Sequence, residues 1–463
     1  MDIKEFIKNL PEVSTPQRKL DLREKLMWSG LVLVIYFILS FLPLYGLHPT
    51  YQAQFESLAI LMAAQFGSVI TLGIGPIVTA SIILQLLMGA EVIKIDTRTQ
   101  EGKKFYQGVQ KILSILFIIF ENTLYVVSGS LPPAIPSLFN QLLLITQLVI
   151  GGIILMFLDE VSSKWGIGSG ISLFIAAGVS RRIFNNAINP LPDPSNPSLP
   201  TGRLPLALSL FLQGIPEAAL WPIFTVVATV LVFAMAVYVQ AIDVEIPLSF
   251  ARIRGYSIKW PLKFVYTSNI PVILVAAFIG TLTMFGQSLY NAGVPILGTF
   301  EEVTTSSGGV MLQPKSGLVY YLNPPTFRDI IVNGLSTDYI LSILIYMGFM
   351  IGGSILFSIL WANVGGQDAD SVAEQISSTG LFIPGFRQNK DILARILKRY
   401  INPLTVMGGA TVGFLAGIAT LSGALANGTG ILLTVMIIYQ FYEQILRDHS
   451  KDMPESLKSL FGK

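Results

Sequence analysis

The chain has 463 residues, 52% apolar and 13% charged, with a mean hydropathy of +0.64, whereas a soluble domain carries roughly 25% charged residues, so water is not its main solvent. Its 30 Lys+Arg against 28 Asp+Glu leave a net charge of +2, which gives no bulk-charge argument for nucleic acid and no expectation of a DNA partner. With no Cys, disulfides, a Cys nucleophile and thiolate metal sites are excluded; His48 and His449 as the only histidines argue against a histidine metal cluster, and no metal or cofactor is expected.

Ile3, Phe6, Ile7 and Leu10 fall on one helical face, which predicts a short helix lying on the membrane surface. Lys19, Arg23 and Lys25 precede a long apolar run with no small-residue cleavage site, read as a retained helix over 26–45. Between Glu56 and Glu91 lie 34 uncharged residues, too many for one simple crossing and too few for two with a loop, since a crossing takes about 20 residues. A re-entrant piece over 57–66, a turn at Gly67 and a span over 72–89 account for them. Irregular backbone at that depth must be buried in protein or line a cavity.

The next spans are expected at 107–127 and 138–158, divided by the Ser128-Gly-Ser-Leu-Pro-Pro-Ala-Ile-Pro136 turn, and at 168–186. Glu121 is the one charge clearly inside a span, either hydrogen-bonded among neighbouring helices or making a functional polar contact. Asp159 and Glu160 are expected as solvated charge at a helix end. A Pro-rich loop, 187–217, leads to spans at 218–240 and 265–285, separated by the basic loop 241–263. A second long loop, 287–338, precedes the span 339–361, and the basic segment 386–400 leads to 402–421. The turn over 421–430 introduces the last span, 430–446.

With the N-terminus in the cytoplasm, 25 of the 30 Lys/Arg fall on that side, so the positive-inside rule places both termini in the cytoplasm, in agreement with the even number of ten helices. The fold class expected is therefore all-α: a polytopic, multi-pass cell-membrane protein. Five helices per half imply halves of opposite orientation if a repeat relates them, and Gly168-Ser-Gly-Ile171 and Gly428-Thr-Gly-Ile431 open the fifth and tenth helices at equivalent places. The divisions expected are an N-terminal half 1–186, an external hinge loop 187–217 and a C-terminal half 218–463. Neither Gly-Lys pair is followed by Ser or Thr, so there is no Walker A site, and no histidine in a helix core could serve an intramembrane serine protease.

Ile70-Thr-Leu-Gly-Ile-Gly-Pro-Ile-Val-Thr-Ala80, Lys164-Trp-Gly-Ile-Gly-Ser-Gly-Ile171, Phe174-Ile-Ala-Ala-Gly178, Phe264-Val-Tyr-Thr-Ser-Asn-Ile-Pro-Val-Ile273, Pro295-Ile-Leu-Gly298, Gly385-Phe-Arg387 and Lys398-Arg-Tyr400 occur in that order. Together they resemble the SecY family, most closely its archaeal members. The resemblance implies a non-enzymatic protein-conducting channel that passes unfolded polypeptide and releases apolar segments sideways into lipid. It implies a pore ring of Ile74, Val78, Ile171, Ile175, Ile273 and Leu433, a plug at 57–66, and a lateral gate with Thr79, Glu121 and Thr281. It also implies ribosome docking through Arg252, Arg254, Arg387 and Arg399, and SecE-like and β-type small subunits as partners. An aliphatic constriction offers ions no hydrogen bonds and closes by dewetting. The competing reading is a secondary transporter with inverted repeats, whose site needs convergent polar groups at the midplane; the sequence places aliphatic residues there.

Overall fold

The computed structural model describes residues 11–47, 67–89, 92–93, 95, 99–129, 131–193, 196–250, 257–267, 270–304, 310–334, 336–378, 381–382, 390–426 and 428–449. The surface helix expected over 3–10 and the re-entrant segment 57–66 lie outside these residues.

The N-terminal half holds α1 (Leu22–Phe41), α2 (Gly75–Gly89), α3 (Gln100–Val127), α4 (Leu138–Trp165) and α5 (Gly170–Ile188). A small hairpin, β1 (Pro192–Asp193) with β2 (Asn196–Pro200), and α6 (Arg203–Leu212) follow. Then come α7 (Pro216–Gln240), β3 (Asp243–Phe250), β4 (Ser257–Lys263) and α8 (Ile270–Asn291). The second long loop folds into β5 (Thr299–Thr304), β6 (Val310–Ser316), α9 (Leu318–Leu322) and α10 (Phe327–Asn333). The chain closes with α11 (Thr337–Val364), α12 (Ala369–Ser378), β7 (Leu381–Phe382), α13 (Lys390–Leu421) and α14 (Gly428–His449).

Apolar helices stand at all ten expected places. Eight apolar stretches reach the length and hydropathy of a crossing. The other two are α2, only 15 residues long, and α5, which carries Arg181 and Arg182 in its second half. The start of α2 falls at Gly75 rather than 72 because 68–75 is spent on successive turns, Thr71 N–H to Ser68 O at 3.0 Å and Gly73 N–H to Ile70 O at 2.9 Å. Every residue from 67 to 80 is buried, which is the condition under which such backbone survives at membrane depth. Pro76 then costs nothing in the first helical turn. α1 stops at Phe41 instead of 45 because Pro43 disfavours helical backbone before it.

Several helices present apolar side chains outward, such as Leu220, Val227, Val230, Leu231 and Phe233 on α7 and Leu31, Val34, Ile38 and Phe41 on α1. In water these would be unusually large exposed patches; in lipid they are the solvated surface. In contrast, α8 is buried along most of its length and occupies the centre. Small residues bring helices together where no hydrophobic driving force acts between them. On α13, a Cβ at Gly413 would sit 2.6 Å from the Met350 carbonyl oxygen of α11, and one at Gly409 2.9 Å from that of Ser354.

The loops expected at 241–263 and 386–400 are not simply irregular. β3 pairs antiparallel with both β4 and β7, in the order β4-β3-β7. α13 begins at Lys390 rather than 402, because Leu393, Ala394, Leu397, Ile401 and Leu404 form a stripe that packs with Ile246 and Leu262 of the sheet and Val372, Ala373 and Ile376 of α12. Pro403 lies inside α13.

Candidate functional site

The residues singled out as a constriction come from four helices: Ile74 immediately before α2 and Val78 on it, Ile171 and Ile175 on α5, Ile273 on α8, and Leu433 on α14. All six belong to one apolar cluster, five of them buried and Ile171 partly so, packed against it. Two glycine turns feed it. Residues 166–169 lead into α5, and the turn before α14 is anchored by Asn186, whose amide donates to the Leu425 carbonyl at 2.7 Å, and by Thr229, which accepts from Leu425 N–H at 3.0 Å.

Asp159 and Glu160 correct a sequence expectation, since neither is simply solvated charge. Asp159 Oδ1 accepts from Ile171 N–H at 3.0 Å and from the Ser169 hydroxyl at 3.1 Å. Glu160 pairs with Lys111 of α3 at 3.0 Å and with Lys164 at 3.3 Å. Lys164 also pairs with Glu12, and the Trp165 indole donates to Ser14 O at 2.8 Å. The N-terminal segment 11–14 is thereby strapped across α3, at Lys111, and the end of α4, which the sequence did not reveal.

At the expected gate, α2 touches α8 and α11. The Thr79 and Thr281 hydroxyl oxygens lie 3.3 Å apart, and Thr79 Oγ1 is 3.0 Å from the Gly75 carbonyl. A hydroxyl has one proton, so with Thr79 donating to Gly75 the contact needs Thr281 to donate to Thr79. Glu121 is 2% exposed, and its Oε1, like the Tyr125 hydroxyl one turn on, has no hydrogen bond among the described residues. Phe285 of α8 continues the seam, 6.3 Å from Phe120 and 6.5 Å from Tyr125 between ring centroids. Sequence reasoning missed these aromatic contacts; nothing in an apolar helix marks which Phe faces a partner.

Of the four arginines singled out, Arg252, Arg254 and Arg387 lie outside the described residues. Arg399 is exposed on the first half of α13, and Arg395 and Lys398 share its face by their i, i+3, i+4 spacing. The base of the β3–β4 hairpin is tied to α14 through Lys263, 3.2 Å from Asp243 and 2.6 Å from Glu443, with its ammonium 5.4 Å from the Tyr439 ring centroid. Partial burial opposes the charge on Lys263, but the two carboxylates outweigh it and hold its pKa above the ordinary lysine value. No group of three or more potential metal ligands occurs among the described residues.

The family model described as SecY matches residues 68–442, and that of the plug domain of Sec61p matches residues 34–67. The chain is 43% identical over 457 residues to the protein translocase subunit SecY of Methanothermobacter thermautotrophicus, covering 98% of this chain and 97% of that one. A solved structure described as a protein-conducting channel superposes with a TM-score of 0.82 at 42% identity, over 97% of both chains. Sec61 in a canine ribosome-channel complex from the endoplasmic reticulum gives 0.79, again at 42% identity over 97% of both.

Proposed function

Because this chain belongs to the SecY family, we propose that it works as the channel subunit of a membrane translocon, passing unfolded polypeptide through a ring of aliphatic side chains and releasing apolar segments sideways into lipid. The observation that carries the reading is the convergence of Ile74, Val78, Ile171, Ile175, Ile273 and Leu433, drawn from both halves, into one apolar cluster. Such a ring gives ions no hydrogen bonds and closes by dewetting, yet it deforms around a chain of any sequence. The transporter reading has no support from the relatives.

In this reading the halves 1–186 and 218–463 part about the 187–217 connection. Thr79, Glu121 and Thr281 form a polar contact across the seam, and 57–66 plugs the pore. The chain itself is not an enzyme, so movement comes from a partner. A ribosome fits that role: a 42% identical relative was solved in a ribosome-channel complex, and Arg399, with Arg395 and Lys398, offers exposed cations suited to RNA phosphates. Arg252, Arg254 and Arg387 complete the proposed docking surface. The distribution of Lys and Arg favours cytoplasmic termini, and SecE-like and β-type subunits are the expected companions of a channel of this family.

The test is the resting ion conductance of reconstituted channel in planar bilayers. Ile74→Asn with Ile171→Asn hydrates the proposed ring and raises it; an unchanged value removes these residues from the ring.

A further inference from the structure

α5 begins in an unusual way. Its N-cap residue is Ser169, yet the Ser169 side chain makes no capping bond to its own helix. Serine at that position ordinarily accepts from a first-turn N–H. Here the hydroxyl instead donates to Asp159 Oδ1 of the preceding helix, at 3.1 Å, and the same oxygen accepts from Ile171 N–H at 3.0 Å. The first turn of α5 therefore takes its cap from α4.

The surroundings leave this arrangement little freedom. A Cβ on Gly170 would lie 2.6 Å from Asp159 Cα, so only glycine lets the two helices approach this closely. Gly168 has φ +101°, and a Cβ there would meet Gln444 Oε1 at 3.1 Å and the Phe441 ring at 3.2 Å, both on α14. The Ser162 hydroxyl donates to Gly168 O at 2.9 Å, and Ile167 N–H donates to the Ser29 hydroxyl of α1 at 3.0 Å. Helices α1, α4 and α14 thus all hold the turn that launches α5.

We infer that Asp159 is a positioning residue for the constriction: its carboxylate, standing on α4, supplies the cap that α5 lacks and sets the height of Ile171 by its backbone and of Ile175 one turn on. The inference rests on the ring reading given above. A helix cap that served stability alone would not affect how tightly the ring closes.

The experiment compares Asp159→Ala, Asp159→Asn and Ser169→Ala in the channel purified with its co-purifying subunits, reading amide exchange at Ile171 and resting conductance in planar bilayers. Asp159→Ala should speed exchange about five-fold, as loss of a helix cap does, and raise resting conductance several-fold. Asp159→Asn keeps an acceptor oxygen and should restore both; Ser169→Ala, which leaves the Ile171 bond intact, should give a smaller rise and carries the test if Asp159→Ala does not accumulate. Faster exchange with a tight channel in Asp159→Ala overturns the positioning role, and so does an Asp159→Asn channel that leaks as much as Asp159→Ala. The Ile74→Asn/Ile171→Asn channel separates the two claims: if it leaks while Asp159→Ala is tight, only the positioning role falls, and if it too is tight, the ring reading falls with it.

Discussion

Thr79 on α2 and Thr281 on α8 bring their hydroxyl oxygens to 3.3 Å across the seam between the two halves. In the proposed lateral opening, parting the helices would break that bond and turn polar groups, Glu121 among them, toward lipid. Both costs oppose opening. In Thr79→Val or Glu121→Leu they shrink, so less hydrophobic test segments should leave the channel for the bilayer. An interhelical hydrogen bond is worth about 0.6 kcal/mol on average, so the midpoint of a graded Leu/Ala segment series should move modestly, and less for Thr281→Val. Unmoved midpoints in both Thr79→Val and Glu121→Leu would take the gate role from this cluster.

The N-terminal strap is expected to be acid-sensitive. The hydrogen bond from Lys164 holds the Glu12 carboxyl below its usual value of 4.5. A depressed carboxylate pKa contributes stability that is present above the unfolded pKa and is lost as pH falls through the folded one. Glu12 is largely exposed, so the contribution is small. Trp165, bonded to Ser14 O and 5.3 Å from Trp28 between ring centroids, reports release of the strap through its fluorescence. Its emission should change as the pH falls below about 4.5, and Lys164→Met should remove that step. An identical titration in Lys164→Met assigns the change elsewhere.

Packing between α11 and α13 should depend on glycine at particular positions. Gly413→Ala places a Cβ 2.6 Å from the Met350 carbonyl, whereas Gly352 has nothing within 4 Å of its added Cβ. Thermal unfolding in detergent should show Gly413→Ala destabilised by about 1–3 kcal/mol, as overpacking is, with Gly352→Ala close to the parent. Equal stabilities would mean that the pair relaxes freely.

Much of this architecture was legible in the sequence, because charge-free runs, turn dipeptides and the asymmetry of Lys and Arg all report the bilayer. What stayed hidden depends on tertiary contacts. The extension of α13 back to Lys390 owes its stability to Leu393, Leu397 and Ile401 packing on the β3–β4 sheet. That sheet had a local signal, since the apolar Val244, Ile246 and Leu248 recur at every second position, but a basic loop between spans draws attention to its charges. The placement of Asp159 was missed for a different reason: a carboxylate at a helix end looks solvated until the next helix turns back onto it. The ring positions were reached through family motifs; an isoleucine in a membrane helix carries no mark of its own.

Ribosome affinity should fall in Arg399→Glu with Arg387→Glu, and the log–log salt slope should shrink by about 1 for each RNA phosphate the variant no longer neutralises. Parent-like affinity and salt slope would leave these arginines a topological role only.

The most direct measurement uses the absence of cysteine from the chain. Ile74→Cys then carries the only thiol, and a polypeptide stalled in transit with a single cysteine at successive positions can be tested for disulfide formation with it. A channel constricted at this ring gives one sharp maximum, at the residue held in the pore, that shifts by one for each residue the stall point is moved. Crosslinking that is absent, or spread evenly along the polypeptide, would contradict passage through this ring.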